Sequence, residues 1–107
     1  MSAYWIARAR VRDEQAQGRY AEIVNRISSA YPHETLARAG RFRVLEGTRQ
    51  FDRYYLHKFP SMEAALAFYN SPEYQEAVAL RRAACDGCEL VIVEGVVDLQ
   101  ESCPRPR

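Results

Sequence analysis

Hydrophobic and polar residues alternate along four short segments of this chain, and apolar residues recur at helical spacing along two longer ones. Alternation places successive side chains on opposite faces, so each short segment predicts a β-strand. The predicted strands are residues 3–11, 35–47, 53–59 and 89–97. Gly40 interrupts the second strand, and a glycine inside a strand marks a bulge or kink, so this strand is predicted to bend.

Both helical segments begin at residues that cap helices. Asp13 is predicted to cap a helix that extends to about Ala30. Ser61 starts a second helical arm, which the Ser71-Pro72 dipeptide breaks into pieces at 61–69 and 72–83. Proline fits the first turn of a helix, whereas the residue before proline is pushed out of the helical region. An Asp-Gly pair at 86–87 predicts a turn before the last strand.

The resulting order, β-α-β-β-α-β, predicts a ferredoxin-like α+β fold, in which a four-stranded antiparallel sheet carries both helices on one face. The other face of the sheet carries Val, Ile, Leu and Tyr and is left uncovered. Because monomers rarely expose so large an apolar patch, we expect a homodimer that closes sheet on sheet around a shared interior. Residues 1–99 form the single domain, and the aperiodic residues 100–107 are predicted to be disordered.

Composition excludes several classes of protein. A chain of 107 residues can bury a core without metals or disulfides, and a net charge of +1 with scattered arginines does not favour nucleic-acid binding. The sequence lacks a membrane-length apolar run and a secretory signal, so we expect a cytoplasmic protein that does not bind membranes. Motifs for phosphate loops, zinc helices and serine nucleophiles are also missing, so no cofactor or metal is expected.

The number and spacing of the cysteines also bear on metal or redox chemistry. Three cysteines, an odd number, do not form a disulfide framework. Cys85 and Cys88 have the spacing of a redox pair, but they follow a predicted helix C-terminus, where the helix dipole does not favour a thiolate. We therefore expect incidental surface thiols, with redox or metal sensing as the alternative.

Four stretches of the chain resemble one known family. AYWIAR near the start, LARAG with VLEG, KFPSMEAALAFYNSPEYQ, and LVIVEGV are similar to the domain of unknown function 1330 family, small bacterial proteins of the dimeric α/β-barrel superfamily. The resemblance covers about residues 3–97 and implies a dimeric α/β barrel. It does not imply one activity, because the superfamily includes cofactor-free monooxygenases and isomerases as well as members without a known reaction.

The resemblance also marks positions in this sequence. They are Arg38 in LARAG, Glu46 in VLEG, and Asn70, Ser71 and Tyr74 at the helix break. The chain departs from the family pattern in two places. His33-Glu34 replaces a usual glycine pair ahead of Arg38. Lys58 replaces a carboxylate that the family usually has before Phe-Pro, so a proton-transfer role of that carboxylate in other members is not expected in this chain.

Three of the candidate residues, Arg38, Glu46 and His57, lie on predicted strands. Arg38 is either a fork for a carboxylate or enolate oxygen, or the ion-pair partner of Glu46 or of a second subunit. An unperturbed histidine ring titrates near neutrality, so His57 is expected to be either an acid-base group or a hydrogen-bonded packing residue under the helical arm. Lys58 has the opposite parity and is expected to extend its ammonium group out of the dimer interface.

The helix break supplies the remaining candidates: Tyr69, Asn70, Ser71 and Tyr74. Asn and Ser at such breaks make local side-chain to backbone hydrogen bonds, which explains them without a ligand. Alternatively, the break is an exposed corner at a pocket mouth, where tyrosine hydroxyls orient a small polar molecule.

Two functions fit these residues. The first is a homodimer that binds a small anionic or aromatic metabolite in a pocket between the sheet and the broken helix, with cofactor-free enzyme chemistry as one form of this function. The alternative is a non-enzymatic dimerisation or accessory module. A variant at Arg38 that changes a ligand response would favour the first function.

Overall fold

The computed structural model describes residues 1–96 of the chain. Within them, the strands and helices follow the predicted order. They are β1 Ala3–Val11, α1 Glu14–Ile27, β2 Glu34–Arg38, β3 Arg53–Phe59, α2 Met62–Asn70, α3 Pro72–Ala84 and β4 Cys85–Glu94. A 3₁₀ turn, Ser28–Ala30, extends α1 to its predicted end. The predicted C-terminal tail lies outside the described residues.

The four strands form one antiparallel sheet in the order β2-β3-β1-β4. The central strand β1 pairs on both sides, and Ile6 lies opposite Leu56 of β3 and Val91 of β4. This order, with helices connecting β1 to β2 and β3 to β4, confirms the predicted ferredoxin-like fold.

Side-chain caps fix the starts of all three helices. Asp13 accepts hydrogen bonds from the amides of Gln15 and Ala16, and Ser61 accepts one from Ala64. Ser71 accepts from the Tyr74 amide, with Pro72 in the first turn of α3. Each cap is worth about 1 kcal/mol, so local chemistry explains why the helical arm breaks where the sequence predicts.

An aromatic core joins the sheet to the broken helical arm. Trp5 of β1 packs against Phe59, Phe68 and Tyr74, with ring centroids 5.4–5.6 Å apart. All four rings are buried. Alternation along β1 therefore places Trp5, Ala7 and Ala9 towards the helices.

The opposite face of the sheet is uncovered, as the sequence predicts. Ile6, Val91 and Val93 are 42%, 51% and 47% exposed, respectively. Leu56, which lies opposite Ile6, is partly buried. The central strands thus carry a continuous apolar surface on the side away from the helices.

The predicted strand at 35–47 is wrong in its second half. Strand β2 ends at Arg38, because Ala39 has a φ of 51° and turns the backbone into the left-handed region. β3 begins only at Arg53, so the chain from 39 to 52 leaves the sheet as a long connection. The backbone turn therefore lies at Ala39, one residue before the predicted kink at Gly40, and it ends the strand. Phe42 packs on Tyr54 with centroids 4.7 Å apart.

The predicted turn at Asp86-Gly87 is also wrong, because both residues lie inside β4. Gly87 lies opposite Arg10 and Cys85 opposite Val11, so the register shift leaves Asp86 as the extra residue of a bulge. Pairing with β1 satisfies the backbone here, and this outweighs the local turn preference. The Asp86 carboxylate accepts a hydrogen bond from Arg12 Nε at 2.7 Å.

Candidate functional site

A cavity of about 730 Å³ lies between α1 and the helix-covered face of the sheet. The sequence instead predicts a pocket against the broken helix, and the structure corrects this, because α3 supplies only one edge, with Tyr74 and Arg81. The rest of the wall comes from α1, the strands and the residues around them. The principal lining residues are Trp5, Ala7, Ala9, Gln17, Tyr20, Val24, His33, Thr35, Arg38, Tyr55, His57, Cys88 and Leu90.

Polar residues of β2 and β3 form one end of this cavity. Thr35 lies opposite His57, and Arg38 lies opposite Tyr55, so all four side chains point to the helix-covered face. His57 Nδ1 is 3.0 Å from Thr35 Oγ1. The His33 ring lies edge-on to His57, with centroids 5.3 Å apart. The predicted candidates Arg38 and His57 are therefore brought together on one wall.

Burial keeps the His57 imidazole neutral. Desolvation, followed by the nearby His33 and Arg38, lowers the pKa of His57 to about 4. At neutral pH, the ring therefore has a free lone pair. If Nδ1 donates its proton to Thr35 Oγ1, the lone pair is on Nε2, where the ring can accept a proton as a base.

The shifted pKa makes stability depend on pH. Because His57 binds its proton less readily in the folded state, its contribution is complete above the unfolded value of about 6.5 and is lost as pH falls through 4. After allowance for its partial exposure, we expect a loss of about 1–2 kcal/mol across this window. Chemical unfolding of the wild type and His57→Gln between pH 4 and 7 measures the difference.

Direct titration of the His57 ring protons by NMR provides the control for this expectation. The protonation of carboxylates affects both proteins, so only the difference between wild type and His57→Gln reports on His57. A His57 titration midpoint near 6.5, with equal pH profiles for the two proteins, would contradict the assigned burial.

A second polar group lines the opposite end of the cavity, near β4. The hydroxyls of Tyr20 and Tyr74 are 2.7 Å apart and share a hydrogen bond. Burial raises the pKa of both tyrosines, so both keep their protons at neutral pH. Arg81 Nη1 lies 3.4 Å from Cys88 Sγ, which places the guanidinium over β4.

The predicted exposed corner is wrong for Ser71, which is 4% exposed, and the flanking Tyr74 is also buried at 1%. Ser71 Oγ donates to the Phe68 carbonyl at 2.9 Å and accepts from the Tyr74 amide at 3.1 Å, so it is a buried cap. Tyr69 packs on Trp5, and Asn70 is exposed. Of these four candidates, only Tyr74 lines the cavity.

Glu46 lies away from the cavity that contains Arg38. It belongs to the connection between β2 and β3, where it lines a separate shallow pocket with Phe42, Arg43 and Tyr54. The ion pairs found among residues 1–96 do not join Glu46 to Arg38. An Arg38–Glu46 pair within one subunit is therefore not formed.

Cys85 and Cys88 are partly buried on β4 and are not the surface thiols predicted from the sequence. Burial, with the neighbouring Cys88, raises the pKa of Cys85, which disfavours its thiolate. Across residues 1–96, groups of three or more metal-ligating side chains are not found. Helices long and apolar enough to cross a membrane are likewise missing from this range.

Sequence reasoning missed His33, Tyr20 and Arg81 as cavity residues. Helical spacing contains the signal for Arg81, because Tyr74, Val78 and Arg81 follow one another at intervals of four and three residues along one face of α3. Tyr20 lies on α1, and its hydroxyl contact with Tyr74 depends on how α1 packs against α3.

Solved structures share this fold. RPA0582, a protein of unknown function from Rhodopseudomonas palustris, is 18% identical with a TM-score of 0.73 over 89% of this chain and 82% of that chain. A dimeric ferredoxin-like protein of unknown function from Jannaschia sp. CCS1 is 21% identical, with a TM-score of 0.66 over 89% and 100%. A hydroxynitrile lyase from Passiflora edulis is 16% identical, with a TM-score of 0.67 over 90% and 94%.

The search of curated proteins gives no match. A family model described as "Domain of unknown function (DUF1330)" matches residues 2–96, which include all four strands and the cavity. This match spans most of the chain and agrees with the resemblance expected from its motifs. The chain therefore belongs to the DUF1330 family.

Proposed function

We propose that this protein binds a small anionic or aromatic metabolite in the cavity under α1 and transfers a proton on it without a cofactor. The observation that supports this proposal is a cavity of about 730 Å³ whose wall combines aromatic and apolar residues with polar ones and carries His57 and Arg38 on adjacent strands. Its volume lies within the usual range for ligand sites, roughly 300–1,000 Å³.

The two residues have complementary roles in such a reaction. His57 takes a proton from a carbon next to a carbonyl group, the electron pair of that C–H bond forms a carbon–carbon double bond, and the carbonyl oxygen becomes negative. Arg38 stabilises that oxygen, and the imidazolium returns its proton to complete the cycle. The hydroxynitrile lyase with this fold supports the idea that the fold can contain an active site.

We also propose that the protein acts as a homodimer joined through the open face of the sheet. The exposed Ile6, Val91 and Val93 support this assembly, as does the dimeric state named for the Jannaschia protein. The proposed ligand site is on the other face of the sheet, so each subunit has its own cavity.

Acetophenone, an aromatic ketone with acidic methyl protons, is a suitable probe for both parts of the proposal. We expect its addition to shift the amide resonances of cavity residues and its methyl protons to exchange with D₂O faster when protein is present. Arg38→Ala should weaken binding about tenfold, as for loss of a hydrogen bond to a charged group. His57→Gln should slow the exchange by about a hundredfold or more.

Arg41→Ala is the matched control, because Arg41 is exposed in the connection after β2 and does not line the cavity. It should leave binding and exchange unchanged. Binding without catalysed exchange would remove the proton-transfer part and favour a binding module. If acetophenone, benzoate and hydroquinone all fail to shift cavity resonances at millimolar concentration, the proposed function is wrong.

A further inference from the structure

Arg81 is a cation in the cavity wall without an acidic partner in the described part of the chain. Its Nε atom is buried and makes no hydrogen bond, and its Nη1 meets only the weak acceptor Cys88 Sγ. Three other arginines near the sheet, Arg8, Arg12 and Arg53, each pair with a carboxylate. Burying an unpaired charge is unfavourable unless a ligand of opposite charge completes the site.

The tyrosine pair next to Arg81 adds a hydrogen-bond donor. Two hydroxyls joined by one hydrogen bond use one of their two protons, so either Tyr20 or Tyr74 keeps a proton to donate. A guanidinium with an adjacent hydroxyl donor matches the two oxygens of a carboxylate. This group differs from the His57 end of the cavity, where an imidazole accompanies the cation.

The two polar ends are separated by the width of the sheet. Arg38 is on β2, whereas Arg81 contacts Cys88 on β4, and these are the two edge strands. Three strand spacings put their backbones roughly 14 Å apart. Arg38 lies on β2 and Arg81 reaches β4 from α3, and the cavity wall between these two strands includes Trp5, Ala7 and Leu90.

We propose that the ligand is an elongated acid, with a carboxylate bound by Arg81 and the Tyr20–Tyr74 pair and a reacting carbonyl oxygen at Arg38. This inference rests on the proposed function, because it assigns the substrate class of the same cavity. The apolar floor between the two ends suits an aromatic ring or a short hydrocarbon segment.

Calorimetric titration with 4-acetylbenzoate and its neutral amide, 4-acetylbenzamide, tests the inference. We expect the wild type to bind the acid about tenfold to a hundredfold more tightly than the amide, as for one charge-assisted bidentate contact. Arg81→Met should abolish this preference by weakening acid binding alone. Arg82→Met is the matched control, since Arg82 is the exposed neighbour on α3, and it should retain the preference.

A second variant tests the same site in case Arg81→Met does not fold. Tyr20→Phe keeps the ring and removes one hydroxyl, and it should reduce the preference for the acid. Equal binding of acid and amide by the wild type, or a preference that survives Arg81→Met, would overturn the inference while leaving a cavity that binds aromatic ketones. Failure of both probes and of acetophenone would overturn the proposed function as well.

Discussion

Replacing Phe59 with alanine is expected to lower the free energy of unfolding by about 3–5 kcal/mol, the usual cost of removing a buried aromatic ring. Phe59 is 1% exposed, and its ring packs on Trp5 at 5.6 Å and on Phe68 at 5.8 Å. It also stacks on His33, whose ring lies beside His57. Thermal unfolding should show a melting temperature lower by about 15–25 °C.

Phe42→Ala is the control for this loss. Phe42 is 44% exposed in the connection after β2, and its main aromatic contact is Tyr54. We expect this variant to lose far less stability than Phe59→Ala. Similar losses at the two positions would show that the aromatic cluster on β1, β3 and α2 is not the centre of the core.

Ile6→Asp is expected to weaken dimerisation by at least about a hundredfold. Ile6 is central on the open face, opposite Leu56 and Val91, so each subunit of a symmetric dimer would bury one new carboxylate in an apolar interface. The side chain points away from the core, so the subunit should remain folded. Sedimentation velocity across a concentration series measures the change.

Leu66→Asp provides the matched control on the helical side. Leu66 is 43% exposed on α2, almost the same as Ile6, but it is not on the open sheet face. It should leave the dimer intact. A wild-type protein that remains a monomer at high concentration, or equal effects of the two substitutions, would contradict assembly through the sheet.

Much of the fold follows from the sequence because its signals are local. Asp13, Ser61 and Ser71 cap helices through neighbouring amides, and the alternation in β1 places Trp5 and Ile6 on opposite faces. These features depend on spacing along the chain, which the sequence contains.

The errors arise where distant strands decide the structure. Asp86-Gly87 has turn chemistry, yet pairing with β1 extends β4 through it. Residues 41–47 alternate like a strand, but Ala39 turns the chain away, and only Arg53 and Tyr54 remain at the start of β3 beyond its pairing with β2. Neither the partner strand nor its length can be read from the segment itself.

The candidate site likewise contains residues that the sequence predicts and residues that only tertiary packing brings in. Strand parity is enough to place His57 on the helix-covered face, and Arg38 and Tyr74 also lie on the cavity wall. The polar contacts of Tyr20 and Arg81 depend on the packing of α1 against α3 and on the position of α3 over β4. These relations are tertiary, and therefore the roles of Tyr20 and Arg81 in the cavity emerged only from the structure.

The most direct test of a ligand site under α1 is the position of bound acetophenone, measured by intermolecular nuclear Overhauser effects. Neighbouring residues of β1 and β4 point to opposite faces, so each strand offers a reporter for either side. Binding under α1 predicts contacts from the probe ring to Trp5 and Leu90. Contacts to Ile6 and Val91 instead would place the ligand in the dimer interface and contradict it.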